Sequence, residues 1–128
     1  MQNIKRGILT LLTIMVQHYV YAQSPQIDSL NTLISKTGND TARINLLIQK
    51  AKLLNTINLD SSLLFSKQAL QQANRINYHK GQSELIRHIS KAYAIKGDFK
   101  SAEENLAILN ELVKSSKDSI DIADMAEK

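Results

Sequence analysis

The chain contains no cysteine and no tryptophan, and in 128 residues it has one proline and four glycines. Without cysteine there is no disulfide, no thiolate metal ligand, no cysteine nucleophile and no lipid-modified N-terminal cysteine. Cohesion must then come from apolar burial alone. Pro25 is the only proline, in a short segment read as extended, so nothing after it forces a helix to break. Gly38, Gly81 and Gly97 stand apart from one another, which excludes a phosphate-cradling glycine-rich loop. Long hydrophobic runs are also lacking. The longest, Ile8 to Ala22, covers 15 residues and is interrupted by Gln17 and His18, against the roughly 20 that cross a bilayer.

That run has another use. Lys5 and Arg6 supply a basic start, Ile8 to Val16 an apolar core, and Val20-Tyr21-Ala22 modest side chains where a signal peptidase cuts. Residues 1–22 are therefore expected to be a secretory signal peptide, with an uncleaved anchor at the inner membrane as the alternative fate. Cleavage leaves 106 residues, with 14 basic against 12 acidic side chains once Lys5 and Arg6 are gone. The whole-chain pI of 9.4 then carries no nucleic-acid argument, because the remaining charges are spread along the chain rather than clustered.

The rest reads as helices separated by polar punctuation, an all-α class. Ile27, Leu30 and Ile34 make a short stripe closed by Thr37-Gly38-Asn39. Asp40-Thr41 caps a second helix, which carries Ile44, Leu47, Ile48, Ala51 and Leu54 on one face. Asn58-Leu59-Asp60-Ser61 interrupts it, with Asp60 or Ser61 expected to cap a third helix bearing Leu63, Ser66, Leu70, Ala73 and Ile76. Asn77 to Gly81 reads as a polar turn. Between Ser83 and Val113 lies the strongest signal, two apolar stripes of helical period joined by Lys96-Gly97-Asp98-Phe99. The first is Leu85, Ile86, Ile89, Ala92 and Tyr93; the second is Phe99, Ala102, Leu106, Leu109 and Val113. Ser115 to Ser119 reads as a further break, and Ile122, Ala123 and Ala126 as the start of a truncated helix over 119–128. Ser62 aligns with Ala102 at a spacing of 40, and Leu54 with Tyr93 at 39. A helix–turn–helix unit recurring near 40 residues is the signature of an α-solenoid.

Ile86, Ile89, Ser90, Tyr93, Gly97, Asp98, Phe99, Ala102, Leu106 and Leu109 together resemble the tetratricopeptide repeat. Ser90 and Ala102 are small enough for two helices to approach, and Tyr93 fills the space beside them. Gly97 turns the chain with a left-handed residue, Asp98 caps the next helix, and Phe99 is expected to pack back across the turn. The unit from Ile44 to Ile76 is degenerate: it keeps Ala51, Leu54, Ala69 and Leu70 but has Asn58-Leu59-Asp60 at the turn. Neither unit ends in the family's proline. The resemblance implies stacked antiparallel hairpins, about two and a half repeats over 40–118, preceded by an N-terminal segment and capping helix over 23–39.

A narrower similarity covers most of the chain after the leader. Ile27-Asp28-Ser29-Leu30, Asp40-Thr41-Ala42-Arg43, Asn77-Tyr78-His79-Lys80-Gly81 and Lys117-Asp118-Ser119-Ile120 resemble the periplasmic sensory region of certain bacterial two-component sensor kinases and regulators. In those proteins a membrane span and an output domain follow. Here neither does, so the alternatives are a stand-alone module and a truncated sensory fragment.

Chemistry is looked for and not found. His88 lacks the acidic and proline neighbours of a phospho-accepting histidine. Glu84 and His88, at i and i+4, read as a surface hydrogen bond rather than a metal site. No Gly-x-Ser-x-Gly elbow presents a nucleophile. Glu103-Glu104 reads as solvated surface, and Asn39-Asp40-Thr41 as a cap rather than a glycosylation acceptor. No catalytic residue, cofactor or metal is expected, and the partner class is a protein or peptide, not nucleic acid. In tetratricopeptide arrays the first helix of each unit lines a concave groove. By that resemblance the groove positions are Asn45, Ile48, Lys52 and Asn55, then Glu84, Arg87, His88 and Lys91. Lys52, Arg87 and Lys91 suit an acidic or carboxyl-terminated peptide, although the paired asparagines of carboxylate-clamping relatives are missing and charged helix exteriors serve solubility as well. The C-terminal face, with Ile108 and Leu112, is expected to be uncapped and open to self-association.

Overall fold

A computed structural model describes the backbone of residues 25–126 and the side chains to residue 117. The expected signal peptide lies outside the described residues. Five helices follow one another: α1 (Pro25–Lys36), α2 (Thr41–Ile57), α3 (Leu59–Arg75), α4 (His79–Ile95) and α5 (Phe99–Ala126). They pack mostly on their sequential neighbours, and α2 also touches α4. No described helix is long and apolar enough to cross a membrane.

The helix boundaries follow from local chemistry. Pro25, the first described residue, lies in α1 rather than in an extended segment. Arg43 closes the other end of α1, its Nη1 donating to the carbonyls of Ile34 (2.5 Å) and Thr37 (3.3 Å). Asp40 caps α2, accepting from the Arg43 amide at 3.0 Å. Asn58 does double duty: its own N–H reaches the Leu54 carbonyl at the end of α2, while its side chain accepts from the Ser61 amide at 2.8 Å. It thus takes the capping role expected of Asp60 or Ser61, since α3 starts two or three residues earlier than the sequence suggests. Asp60 is left to pair with Lys96.

Two turns share one construction. Asn77 (φ 53°) and Gly97 (φ 79°) are the left-handed residues after α3 and α4. In each case the following amide bonds back five residues, Tyr78 to Ala73 and Asp98 to Tyr93, both at 3.0 Å, the hydrogen-bond pattern of a Schellman ending. Asn is the side chain that best tolerates this conformation where Gly is absent. Asp98 then caps α5 through the Ser101 amide and hydroxyl. Those bonds to Ser101, side chain first, hold the Asp98 carboxyl below its ordinary range, helped by Lys100.

Gly81 is not in a turn. Helix α4 begins at His79, and Gly81 sits buried in its first turn. A methyl group there would lie 2.5 Å from the Tyr78 ring and 2.9 Å from Ile44 Cγ2. The glycine lets Tyr78 and the fully buried Ile44 nest against the helix backbone.

The main core joins Leu30 and Ile34 of α1, Ile44, Leu47 and Ile48 of α2, Ala69 and Ala73 of α3, and Leu85 of α4. A smaller cluster of Leu63, Ile89 and Ala92 continues it toward α5, with Tyr93 packed alongside. Between α2 and α3, and again between α4 and α5, a small residue makes a close contact. Ser62 Oγ of α3 donates to the Ala51 carbonyl of α2, and Ser90 Oγ of α4 to the Ala102 carbonyl of α5, both at 2.8 Å and both buried.

Helix α5 departs from expectation twice. Only Ala102 and Leu109 of its stripe are buried; Phe99 is 67% exposed, Leu106 45% and Val113 40%. At about 100° per residue, Phe99 and Leu106 stand roughly 50–70° off the line through Ala102 and Leu109. Among the described residues α4 is the one helix packed on α5, too narrow a partner to cover that arc. Phe99 therefore does not pack back across the turn. Nor is there a break at Ser115–Ser119: α5 continues to Ala126, so residues 119–126 extend it rather than open a new helix. The segment holds neither Gly nor Pro, and Ser costs only about 0.5 kcal/mol relative to Ala in a helix. Ser115 and Ser116 bond back to the Leu112 and Val113 carbonyls within the helix.

Candidate functional site

Helices α2 and α4 enclose an open pocket of about 360 Å³ lined by Lys52, Asn55, Glu84, Arg87, His88 and Lys91. Of the groove positions expected from the sequence, the structure brings these six together. Ile48 is buried in the core instead, and Asn45 lies outside the pocket, accepting from the Tyr78 hydroxyl at 3.1 Å.

The six converge because α2 supplies Lys52 and Asn55 less than one turn apart, while α4 supplies Glu84, Arg87, His88 and Lys91 at i, i+3, i+4 and i+7, one face of a helix. Core packing of Ile48 and Ala51 on one side, and Leu85 and Ile89 on the other, turns those polar faces toward each other. Lys52 crosses the pocket to Glu84 at 3.3 Å, with both side chains partly exposed. Such a pair stabilises by well under 1 kcal/mol; its effect is to orient the two groups. Among the described residues Arg87 and Lys91 have no carboxylate partner, so the pocket keeps an excess of positive charge.

His88 forms the pocket's inner wall. Its Nε2 lies 2.9 Å from Ser62 Oγ, and the one hydroxyl hydrogen of Ser62 goes to the Ala51 carbonyl. Nε2 must therefore carry a hydrogen and donate to Ser62, which leaves Nδ1 bare in the neutral ring. No polar side-chain atom in the described structure is fully buried without a partner, so Nδ1 is not wholly shut off from solvent. Partial burial lowers the His88 pKa from its ordinary value, and the charges of Lys52 and Lys91 lower it further. The Glu84–His88 hydrogen bond expected from their spacing is not made: Glu84 turns to Lys52 and His88 to Ser62. Sequence reasoning missed the Ser62 partner because that contact joins residues 26 positions apart, with no periodicity to announce it.

A second, largely apolar crevice of about 640 Å³ lies between α1 and α2, lined by Pro25, Gln26, Ser29, Leu30, Gln49, Lys52 and Leu53. Lys52 belongs to both. On the outer side, Lys67 stacks over the Tyr93 ring and donates to its hydroxyl, and Lys50 lies 4.4 Å from the centre of the Phe65 ring. Lys50 and Lys67 line neither depression.

Chemically, the α2–α4 pocket is a collection of cationic and neutral hydrogen-bond donors around one carboxylate that is already paired. That set suits reception of an anion. Compared with protein-family models, with curated proteins and with solved structures, the chain matches none.

Proposed function

We propose that this chain is an exported, non-catalytic, tetratricopeptide-like interaction module. It works in the periplasm by presenting the α2–α4 pocket to a protein partner. The observation that carries the reading is that one pocket unites side chains from two helices holding the same place in successive hairpins, α2 in α2–α3 and α4 in α4–α5.

The equivalence of the hairpins is supported by their closest contact. Ala51 and Ser90 are 39 positions apart, and Ser62 and Ala102 are 40. In both hairpins the pair is one serine hydroxyl on one alanine carbonyl, with the two residues exchanged between helices. A spacing near 40 and direct contact between the first helices of neighbouring units are what an α-solenoid of about two and a half hairpins requires.

Position-specific photo-crosslinking in the source cell tests the interaction. A photoreactive residue at Arg87 or Lys91 should give a discrete adduct with one protein, and the same residue at exposed Glu103 on α5 should not. Equal labelling from all three positions would sink the groove reading. Export is tested separately by the mass of the cell-derived chain, which should lack residues 1–22.

A second reading, a sensory segment of a two-component kinase or regulator, is favoured by α5. Its exposed Leu106, Ile108 and Val113 would be covered by a further helix. An in-frame membrane span and kinase core encoded downstream would establish it, and their absence there would dismiss it.

A further inference from the structure

The α2–α4 pocket combines two properties that bear on what it holds. Arg87 and Lys91, which have no carboxylate partner among the described residues, bring positive charge to it. His88 lines the same pocket with its ring held through Nε2, and its other nitrogen, Nδ1, is in the neutral ring an acceptor, a poor match for an anion until it is protonated. We propose that the pocket binds a peptide carboxylate and takes up one proton from solvent on His88 Nδ1 as it does so. This rests on the interaction reading above and names the chemistry of the same site.

The geometry drives the coupling. Ser62 already spends its hydrogen on Ala51 and a lone pair on His88 Nε2–H, so the ring is held by one nitrogen, and Nδ1 is the one left to take a proton. The groups facing it are Lys52 and Asn55 from α2, Ser62 from α3, and Glu84, Arg87 and Lys91 on α4 itself. In the empty pocket the lysines on either side and partial burial disfavour an imidazolium. The one nearby carboxylate, Glu84, is engaged with Lys52. A bound carboxylate reverses that balance: it screens the lysines and accepts a hydrogen bond from Nδ1–H. By linkage, whatever raises the His88 pKa on binding must make binding tighter as pH falls.

The carboxylate has two sources in a peptide, a side chain or the C-terminus, and the probes separate them. Acetyl-tetraglutamate amide offers side-chain carboxylates alone, acetyl-tetraglycine with a free C-terminus offers the other, and acetyl-tetraglycine amide is the control. Affinity for the full chain is measured by calorimetry at pH 6 and pH 8, and His88 is titrated through its ring NMR signals with and without probe. The expected result is binding by one or both acids and not by the amide, tighter at pH 6 by about threefold or more. The His88 midpoint should rise by about one unit or more, since a unit corresponds to tenfold at most and pH 6 expresses only part of it. His88→Gln, which keeps a neutral donor, should still bind but with equal affinity at the two pH values. Arg87→Gln with Lys91→Gln should weaken binding about tenfold at both. Equal affinity of the parent chain at pH 6 and 8, or an unmoved His88 midpoint, overturns the proton coupling. Failure of both acids to bind overturns the carboxylate assignment, and a groove-specific crosslink obtained in that case would still leave the interaction module standing.

Discussion

Replacing Gly81 by alanine sets two effects of known size against each other. Gly81 lies in the first turn of α4, where helix propensity alone favours alanine by up to about 1 kcal/mol. Against that, the new methyl would sit 2.5 and 2.8 Å from two ring carbons of Tyr78 and 2.9 Å from Ile44 Cγ2. Neither neighbour yields cheaply. Ile44 is fully buried in the main core, and the Tyr78 ring is packed against that core with its hydroxyl tied to Asn45. Overpacking of this kind costs about 1–3 kcal/mol. Because neither neighbour yields, the upper part of that range applies, and subtracting the propensity gain leaves a destabilisation of about 1–2 kcal/mol, which lowers Tm by roughly 5–10 °C in a domain near 100 residues. Thermal unfolding followed by circular dichroism at 222 nm reads it directly. Gly38→Ala is the control, because a methyl there meets nothing within 4 Å and should change stability by less than about 0.5 kcal/mol. If Gly81→Ala melts at or above the parent temperature, the nesting of Tyr78 and Ile44 against α4 is wrong.

Other consequences can be checked in the same way. Gly97→Val should lose about 1–2 kcal/mol, because the residue is left-handed and the space around it is open, so the backbone alone resists the side chain; an unchanged urea midpoint would contradict the turn. Asn58→Ala should cost about 1 kcal/mol through loss of the α3 cap, whereas Ser61→Ala should be near neutral, and the reverse order would restore the cap expected from sequence. For His88, the folded pKa lies below the unfolded one, so the unfolded chain binds more protons as the pH falls. The stability from keeping this ring neutral is thus complete above the ordinary histidine value of about 6.5 and is lost below it, as pH falls toward the folded value. His88→Gln should flatten that part of the pH–stability curve, and an unaltered curve would place the acid sensitivity elsewhere.

Much of the helical architecture is legible along the chain because it depends on neighbours in sequence. The stripes Leu85, Ile86, Ile89 and Ala92, and Ile44, Leu47, Ile48 and Ala51, show helical period, and all eight residues are buried. Asp40, Gly97 and Asp98 act at the ends where their side chains or backbone freedom place them. Less was visible where two local rules competed. Asn58, Asp60 and Ser61 are all good caps, and the choice fell to Asn58. Serine, lysine and aspartate at 115–119 read as a loop, yet none of them prohibits a helix, and α5 continues through them.

What the amino-acid order determined by itself is the set of rods and their hinges, since periodicity, caps and left-handed turns are settled within a few residues. What only the tertiary structure decided is which polar faces meet. Gly81 became a contact between helices rather than a bend, and Glu84 chose Lys52 over His88. Ser62 joined Ala51 to an imidazole 26 positions later. Each of these depends on how α4 sits against α2 and α3, and that is set by Ile44, Ile48, Ala69, Ala73 and Leu85 sharing one core, not by any one stretch of chain.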